Sequence, residues 1–89
     1  MHVVYLIQHD KTHQIYIGRT NNLKRRLREH NSQQQTSTIR KDGQWVLIYA
    51  EAYRDKADAD AREQKLKQHG TAKHKLKLRI VHSLLRNQN

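Results

Sequence analysis

Five polar side chains are of the right types to work on a phosphodiester. They are Tyr5, Tyr16, Arg26, His30 and Glu63. An arginine offers a forked cation to the negative charge that builds on phosphorus during water attack. A carboxylate is a hard oxygen ligand and can hold a hydrated divalent cation through one contact. A tyrosine or a histidine can take or relay the proton of the attacking water. The spacing makes three of them unusual. At about 100° per residue, Arg26 and His30 fall beside Leu23 and Leu27, the apolar stripe of one helix, while Arg25 and Arg28 fall on the far side. They are also four residues apart, so their side chains converge. Glu63 follows Ala59 by four and precedes Leu66 by three, which puts a carboxylate on an apolar-leaning face. An inward Arg26 and an inward Glu63 can equally form a structural ion pair, and that reading stays open from spacing alone.

The elements that position these groups are legible in outline. Val3 to Ile7 is a short unbroken apolar run with three β-branched residues and reads as a buried strand. Gln14 to Ile17 alternates up to Gly18 and reads as a second strand. A four-residue link makes the two a hairpin in which Gln8 pairs with His13 and Tyr5 lies across from Tyr16, both phenols on one face. Gly18 then opens space on that face. Asn21 or Asn22 caps a helix from Leu23 toward His30. Ser32 to Thr38 has no apolar period and reads as a loop, and Asp42-Gly43 as a turn. Trp45 to Tyr49, extending toward Tyr53, is the third strand, with Tyr49 and Tyr53 on one face. Asp55 caps a second helix over Lys56 to Gln68. Gly70-Thr71 stops it, and Thr71 caps a third over Ala72 to Arg86, with Leu76, Ile80 and Leu84 in its apolar arc. The predicted order is β-β-α-loop-β-α-α: an α+β domain spanning residues 1–89, with an antiparallel three-stranded sheet flanked by helices.

Composition narrows the partners. The chain has 89 residues, 18 Lys and Arg against 8 Asp and Glu, and a net charge of +10. The charge is uneven. Six basic residues and no acid lie between Lys11 and Arg28, and seven more with no acid follow Gln64. Glu51, Asp55, Asp58, Asp60 and Glu63 cluster between them. Such basic segments suit a nucleic-acid backbone, although a solvated charged surface needs no partner. The absence of cysteine excludes a disulfide scaffold, a zinc ribbon and a thiol nucleophile. His69, His74 and His82 lack the spacing of a metal set. No apolar run approaches the ~20 residues that span a bilayer, and Val3–Ile7 is too short for the apolar region of a signal peptide. A soluble, cytoplasmic protein is the expectation, with no membrane partner.

The same residues resemble the GIY-YIG nuclease superfamily. Tyr16-Ile17-Gly18 stands as the second signature. Val3-Val4-Tyr5 keeps only the tyrosine of the first, with valines in place of its glycine and isoleucine. Gly18 to Asn31 looks like the family's glycine, capped helix, arginine and histidine, and Ala61 to Lys67 like the helix that carries its metal-binding glutamate. The likeness spans about Val3 to Leu78 and is closest to small stand-alone members. It implies a divalent-metal-dependent endonuclease that hydrolyses DNA phosphodiesters in one step, structure-directed or weakly specific, of the kind used in repair or recombination. The implied roles are Tyr5 as general base or its close partner, Tyr16 positioning water or phosphate, and Arg26 stabilising the transition state. His30 would assist proton transfer or orient a tyrosine, and Glu63 would bind Mg2+ or Mn2+. Gly18, Arg19, Lys24 and Arg40 would contact substrate. A nucleic-acid-binding module with a weak or inactive site is the alternative. A monomer, or a weak homodimer through the last helix, is expected.

Overall fold

The computed structural model describes residues 1–35, 43–68 and 70–86. The elements are β1 (His2–His9), β2 (Ile15–Thr20), α1 (Leu23–Gln35), β3 (Trp45–Tyr53), α2 (Lys56–Gln68) and α3 (Gly70–Arg79). They form an antiparallel sheet in the order β2-β1-β3 with helices packed on it, the expected α+β architecture. The continuous apolar run takes the central strand because both of its faces are covered: Val4, Tyr5, Leu6 and Ile7 are all buried. Alternation sends Val4 and Leu6 to one face, where they meet Ile17 of β2, Ala59 and Leu66 of α2 and Leu76 of α3. Truncating a fully buried leucine such as Leu66 or Leu76 to alanine costs about 2–5 kcal/mol. Tyr5 points to the opposite face.

The hairpin register differs from the expected one by two residues. Tyr5 pairs with Gly18 and Ile7 with Tyr16. The connection is five residues long, and His9 organises it. His9 N donates to Gln14 O, its ring Nδ1 accepts from the amides of Lys11 and Thr12, and His13 takes a left-handed φ of 62°. Gln8 therefore meets His13 through its side chain, with Nε2 donating to the His13 carbonyl. An even shift preserves the faces, so Tyr5 and Tyr16 still share one.

Two helices also depart from the sequence pattern in their bounds. α1 is capped by Asn22, whose Oδ1 accepts from Arg25 N, but runs on to Gln35. His30 thus lies within the helix and not at its end. Asn, Ser and Gln are tolerated in helices, and Asn31 is held from outside by the first residue of β3. The Asp55-capped α2 has the expected bounds. α3 starts at Gly70, two residues after the last residue of α2, and stops at Arg79. Thr71 is inside it. The chain then coils back, with Ser83 N and Leu84 N both donating to Ile80 O. The buried Gln8 Oε1 accepts from Leu85 N and draws this segment onto the end of β1. Ile80 and Leu84 pack on the core by this bend and not by a longer helix.

A bulge in β3 decides which side chains reach the Tyr5 face. Leu6 pairs with Tyr49 but Ile7 pairs with Leu47, so Ile48 is the extra residue. Tyr49, Glu51 and Tyr53 face α2 and α3 as a result, while Trp45 is turned to the Tyr5 face.

Candidate active site

Tyr5 is the centre of the site and is 1% exposed. Its Oη is 3.0 Å from His30 Nε2. The Tyr16 ring lies 6.3 Å from the Tyr5 ring and 4.8 Å, edge to face, from the His30 ring. Tyr16 keeps 37% of its surface open to solvent, so the cluster is reached from the Tyr16 side. Gly18 makes this approach possible. A Cβ there would lie 2.5 Å from Tyr5 Oη and 2.9 Å from Tyr16 Cε1, closer than any side-chain carbon can sit.

α1 delivers a guanidinium and an imidazole together. His30 is 9% exposed and Arg26, one turn earlier, is half-buried. Burial works against the Arg26 charge, but contact with the Glu29 carboxylate and with the Tyr5 and Tyr16 phenols outweighs it and raises its pKa. Burial, then the Arg26 charge, push the His30 imidazole below its ordinary value, which leaves it neutral near pH 7. Burial raises the Tyr5 phenol, Tyr16 and Glu63 add to the rise, and Arg26 opposes it. Tyr5 is thus a protonated phenol beside an imidazole free to accept.

α2 supplies the fifth group from the β2 edge. Glu63 acts on Tyr5 electrostatically. It forms no ion pair with Arg26: Glu63 pairs with Lys67 at 3.1 Å, and Arg26 with Glu29 at 3.2 Å. Lys67 Nζ sits 5.7 Å from the Tyr16 ring centroid, a cation over an aromatic face at the mouth of the site. Among the described residues no group of three His, Asp or Glu side chains could hold a metal. A lone, partly open carboxylate still fits a hard cation that keeps most of its waters, as Mg2+ does.

Tyr5, Tyr16, Arg26 and His30 therefore meet around Gly18, and Glu63 acts on Tyr5 from α2. The expected substrate contacts do not all follow. Arg19 pairs with Val4 across the ladder and so faces α2, where it is ion-paired with Asp60. It is turned away from the cleft. Lys24 is exposed on the first turn of α1. Arg40 lies outside the described residues. Three residues, Trp45, Asn31 and Lys67, join the site without having been singled out for it. Trp45 closes its far wall, 6.5 Å from Tyr16, 6.3 Å from His30 and 5.4 Å from His9. Asn31 fixes Trp45 by accepting from its amide at 2.8 Å and donating to its carbonyl at 3.3 Å. Lys67 could have been found, since it lies four residues after Glu63. Trp45 could not, because only the bulge turns it inward.

The GIY-YIG catalytic domain matches residues 1–77 of the chain. The chain belongs to the GIY-YIG family. It is 35% identical over 67 residues to a UPF0213 protein of Clostridium perfringens (strain 13 / Type A), covering 75% of this chain and 71% of that protein. The solution structure of a UPF0213 protein from Bacillus halodurans is similar, with a TM-score of 0.54 and 26% identity over 88% of this chain and 82% of the other. The GIY-YIG signature is degenerate at Val3 and Val4, and the structure accommodates this. Val4 is buried in the core on the α2 side, and both valines hold their ladder partners, Thr20 and Arg19. Tyr5 keeps its place in the strand.

Proposed function

We propose that this GIY-YIG protein is a divalent-metal-dependent endonuclease acting on DNA, directed by the shape of its substrate more than by base sequence. The observation that carries this reading is the contact of Tyr5 Oη with the neutral His30 imidazole, with Arg26 and Glu63 acting on the same phenol. In the reaction, a water oxygen bonds to phosphorus and the bond to the leaving ester oxygen breaks. The water proton passes to Tyr5 Oη as the Tyr5 proton passes to His30 Nε2, with His30 carrying its own proton on Nδ1. The leaving oxygen takes a proton from solvent. Arg26 holds the non-bridging oxygens as their charge grows. Tyr16 orients the phosphate at the open side of the cleft, and Gly18 lets it come close. Glu63 would hold the Mg2+ or Mn2+ ion, which supplies charge neutralisation at the phosphate when bound.

The test is cutting of duplex, nicked, branched and single-stranded DNA with Mg2+ or Mn2+. Branched or nicked substrates are expected to be cut best, which would suit a role in repair or recombination. Glu63→Gln and Arg26→Gln are expected to lower kcat at least ~100-fold with the fold unchanged. Undiminished cutting by Glu63→Gln would remove its metal role. A second reading has one observation behind it. Lys67 neutralises the Glu63 carboxylate that a metal would need. A binding module with a weak site would hold DNA with steep salt dependence and give no metal-dependent turnover.

A further inference from the structure

A concave pocket of about 510 Å3 lies on the other flank of α2, in the angle between α2 and α3. Arg62, Lys65, Lys75 and Arg79 line it, over a floor that includes Ala72 and the buried Leu76. Among the described residues no carboxylate lines it. Among the described residues Lys65, Lys75 and Arg79 have no ion-pair partner. Arg62 is braced from below. Its Nε donates to Glu51 Oε1 at 2.7 Å, and the same carboxylate accepts from the hydroxyls of Tyr53 and Tyr49. These bonds hold both Glu51 oxygens and fix the guanidinium. They leave both terminal Arg62 nitrogens without a hydrogen-bond partner among the described residues. A solvated charged face needs no such brace. Four cations held around one hollow repel each other, and an oxyanion between them relieves that repulsion.

We infer that this pocket is a second phosphate site, which takes a backbone phosphate of the nucleic acid whose cleavage is proposed above. α2 connects the two sites. Glu63 and Lys67 serve the tyrosine cleft, and Arg62 and Lys65 serve the pocket. A helix with its side chains is about 10–12 Å across, so one strand reaches both flanks within a few nucleotides. The inference rests on a nucleic-acid ligand but not on catalysis. Arg62 contacts the phosphate directly, and Glu51 is its positioning residue.

The experiment measures binding with cutting prevented. Affinity for a short DNA duplex is followed across a salt series in EDTA for the intact chain and for Lys75→Gln/Arg79→Gln. The control is Lys73→Gln/Lys77→Gln, which removes the same charge from α3 outside the pocket. The pocket pair is expected to lose roughly tenfold in affinity at low salt, with a log–log salt slope shallower by about two. The control pair is expected to lose much less. In the intact chain, inorganic phosphate is expected to move the Ala72 and Leu76 amide signals, and not in the pocket pair. Amide signals of β1 report that each variant is folded, and Lys65→Gln serves if the pair is not. Equal losses in the two pairs, or amides silent to phosphate, would overturn the inference. Phosphate shifts with an unchanged duplex slope would overturn the backbone assignment and identify a site for free phosphate. Failure to cut DNA in a separate assay would sink the nuclease reading and leave this one standing.

Discussion

At the scale of single residues, the candidate site makes two groups unlike their solution selves. Burial keeps Tyr5 protonated, and burial with Arg26 keeps His30 neutral. The pair can therefore move a proton near pH 7 without either carrying a standing charge. Arg26 and His30 are coupled, which gives a test. Arg26→Gln removes a like charge, so the His30 pKa, followed by its ring proton signals, is expected to rise toward the ordinary value. No rise would mean that burial alone sets it. The sign for stability follows. A histidine with a depressed folded pKa contributes stability that is present above its unfolded value and lost as pH falls through the folded one. Activity that depends on neutral His30 should likewise have an acid limb below the ordinary histidine pKa. Gly18→Ala tests the cleft itself. Its Cβ would collide with the Tyr5 phenol, so kcat should fall at least ~10-fold while the folded state survives. Wild-type activity in that variant would show that Tyr5 need not keep its contact with His30. These residues were legible because polar groups on an apolar helical stripe stand out at 100° per residue. Glu51 was not legible. Its partners, Tyr49 and Tyr53, look like ordinary strand aromatics, and Arg62 lies eleven residues away.

At the scale of elements, strand alternation and helix caps were readable, and the places where tertiary contacts override them were not. The Asp55 cap fixed α2 because its carboxylate accepts from the Ala57 amide, one of the free donors of the first turn. The end of α3 depends on Gln8, a residue 77 positions from Leu85, and no local pattern announces it. The β3 bulge is similar: Trp45-Val46-Leu47-Ile48-Tyr49 gives no sign of where alternation slips. Asn31 anchors the near end of that strand to α1 through two hydrogen bonds to Trp45. Asn31→Ala is expected to cost about 1–2 kcal/mol in urea unfolding. It should also shift Trp45 fluorescence, since the indole would lose its fixed place against Tyr16 and His30. A variant as stable as the parent with unchanged fluorescence would show that packing alone aims the indole. Glu51 joins β3 to α2. Burial opposes its charge, but the Tyr49, Tyr53 and Arg62 bonds outweigh this and hold its pKa below the usual carboxylate value, while Glu51 pushes the Tyr53 phenol up to about 12. Its contribution is present above the unfolded carboxylate pKa and lost as pH falls through the lower folded one. Glu51→Gln is expected to flatten stability across that acid window, and an unchanged pH profile would refute the coupling.

At the scale of the whole molecule, the question is whether the chain acts alone. The extended apolar arc read from Ala72 to Arg86 suggested a face for a second copy. The bend after Arg79 removes most of it, because Ile80 and Leu84 turn onto the chain's own core. Leu78 and Val81 remain exposed, at 62% and 43%. Two side chains fall well short of the ~800 Å2 per partner that a stable interface buries. The net charge works in the same direction. At +10 on 89 residues, two copies repel at low salt and are drawn to a polyanion instead. The expected state is a monomer, and sedimentation equilibrium should return 10.7 kDa at micromolar concentration without DNA. High salt screens the repulsion and isolates the apolar term. A dimer that strengthens with salt and is abolished by Leu78→Ser would show that these two residues suffice after all. A monomer at both extremes would mean that, in the proposed binding mode, one copy must supply every cation, from the tyrosine cleft round α2 to the pocket beyond it.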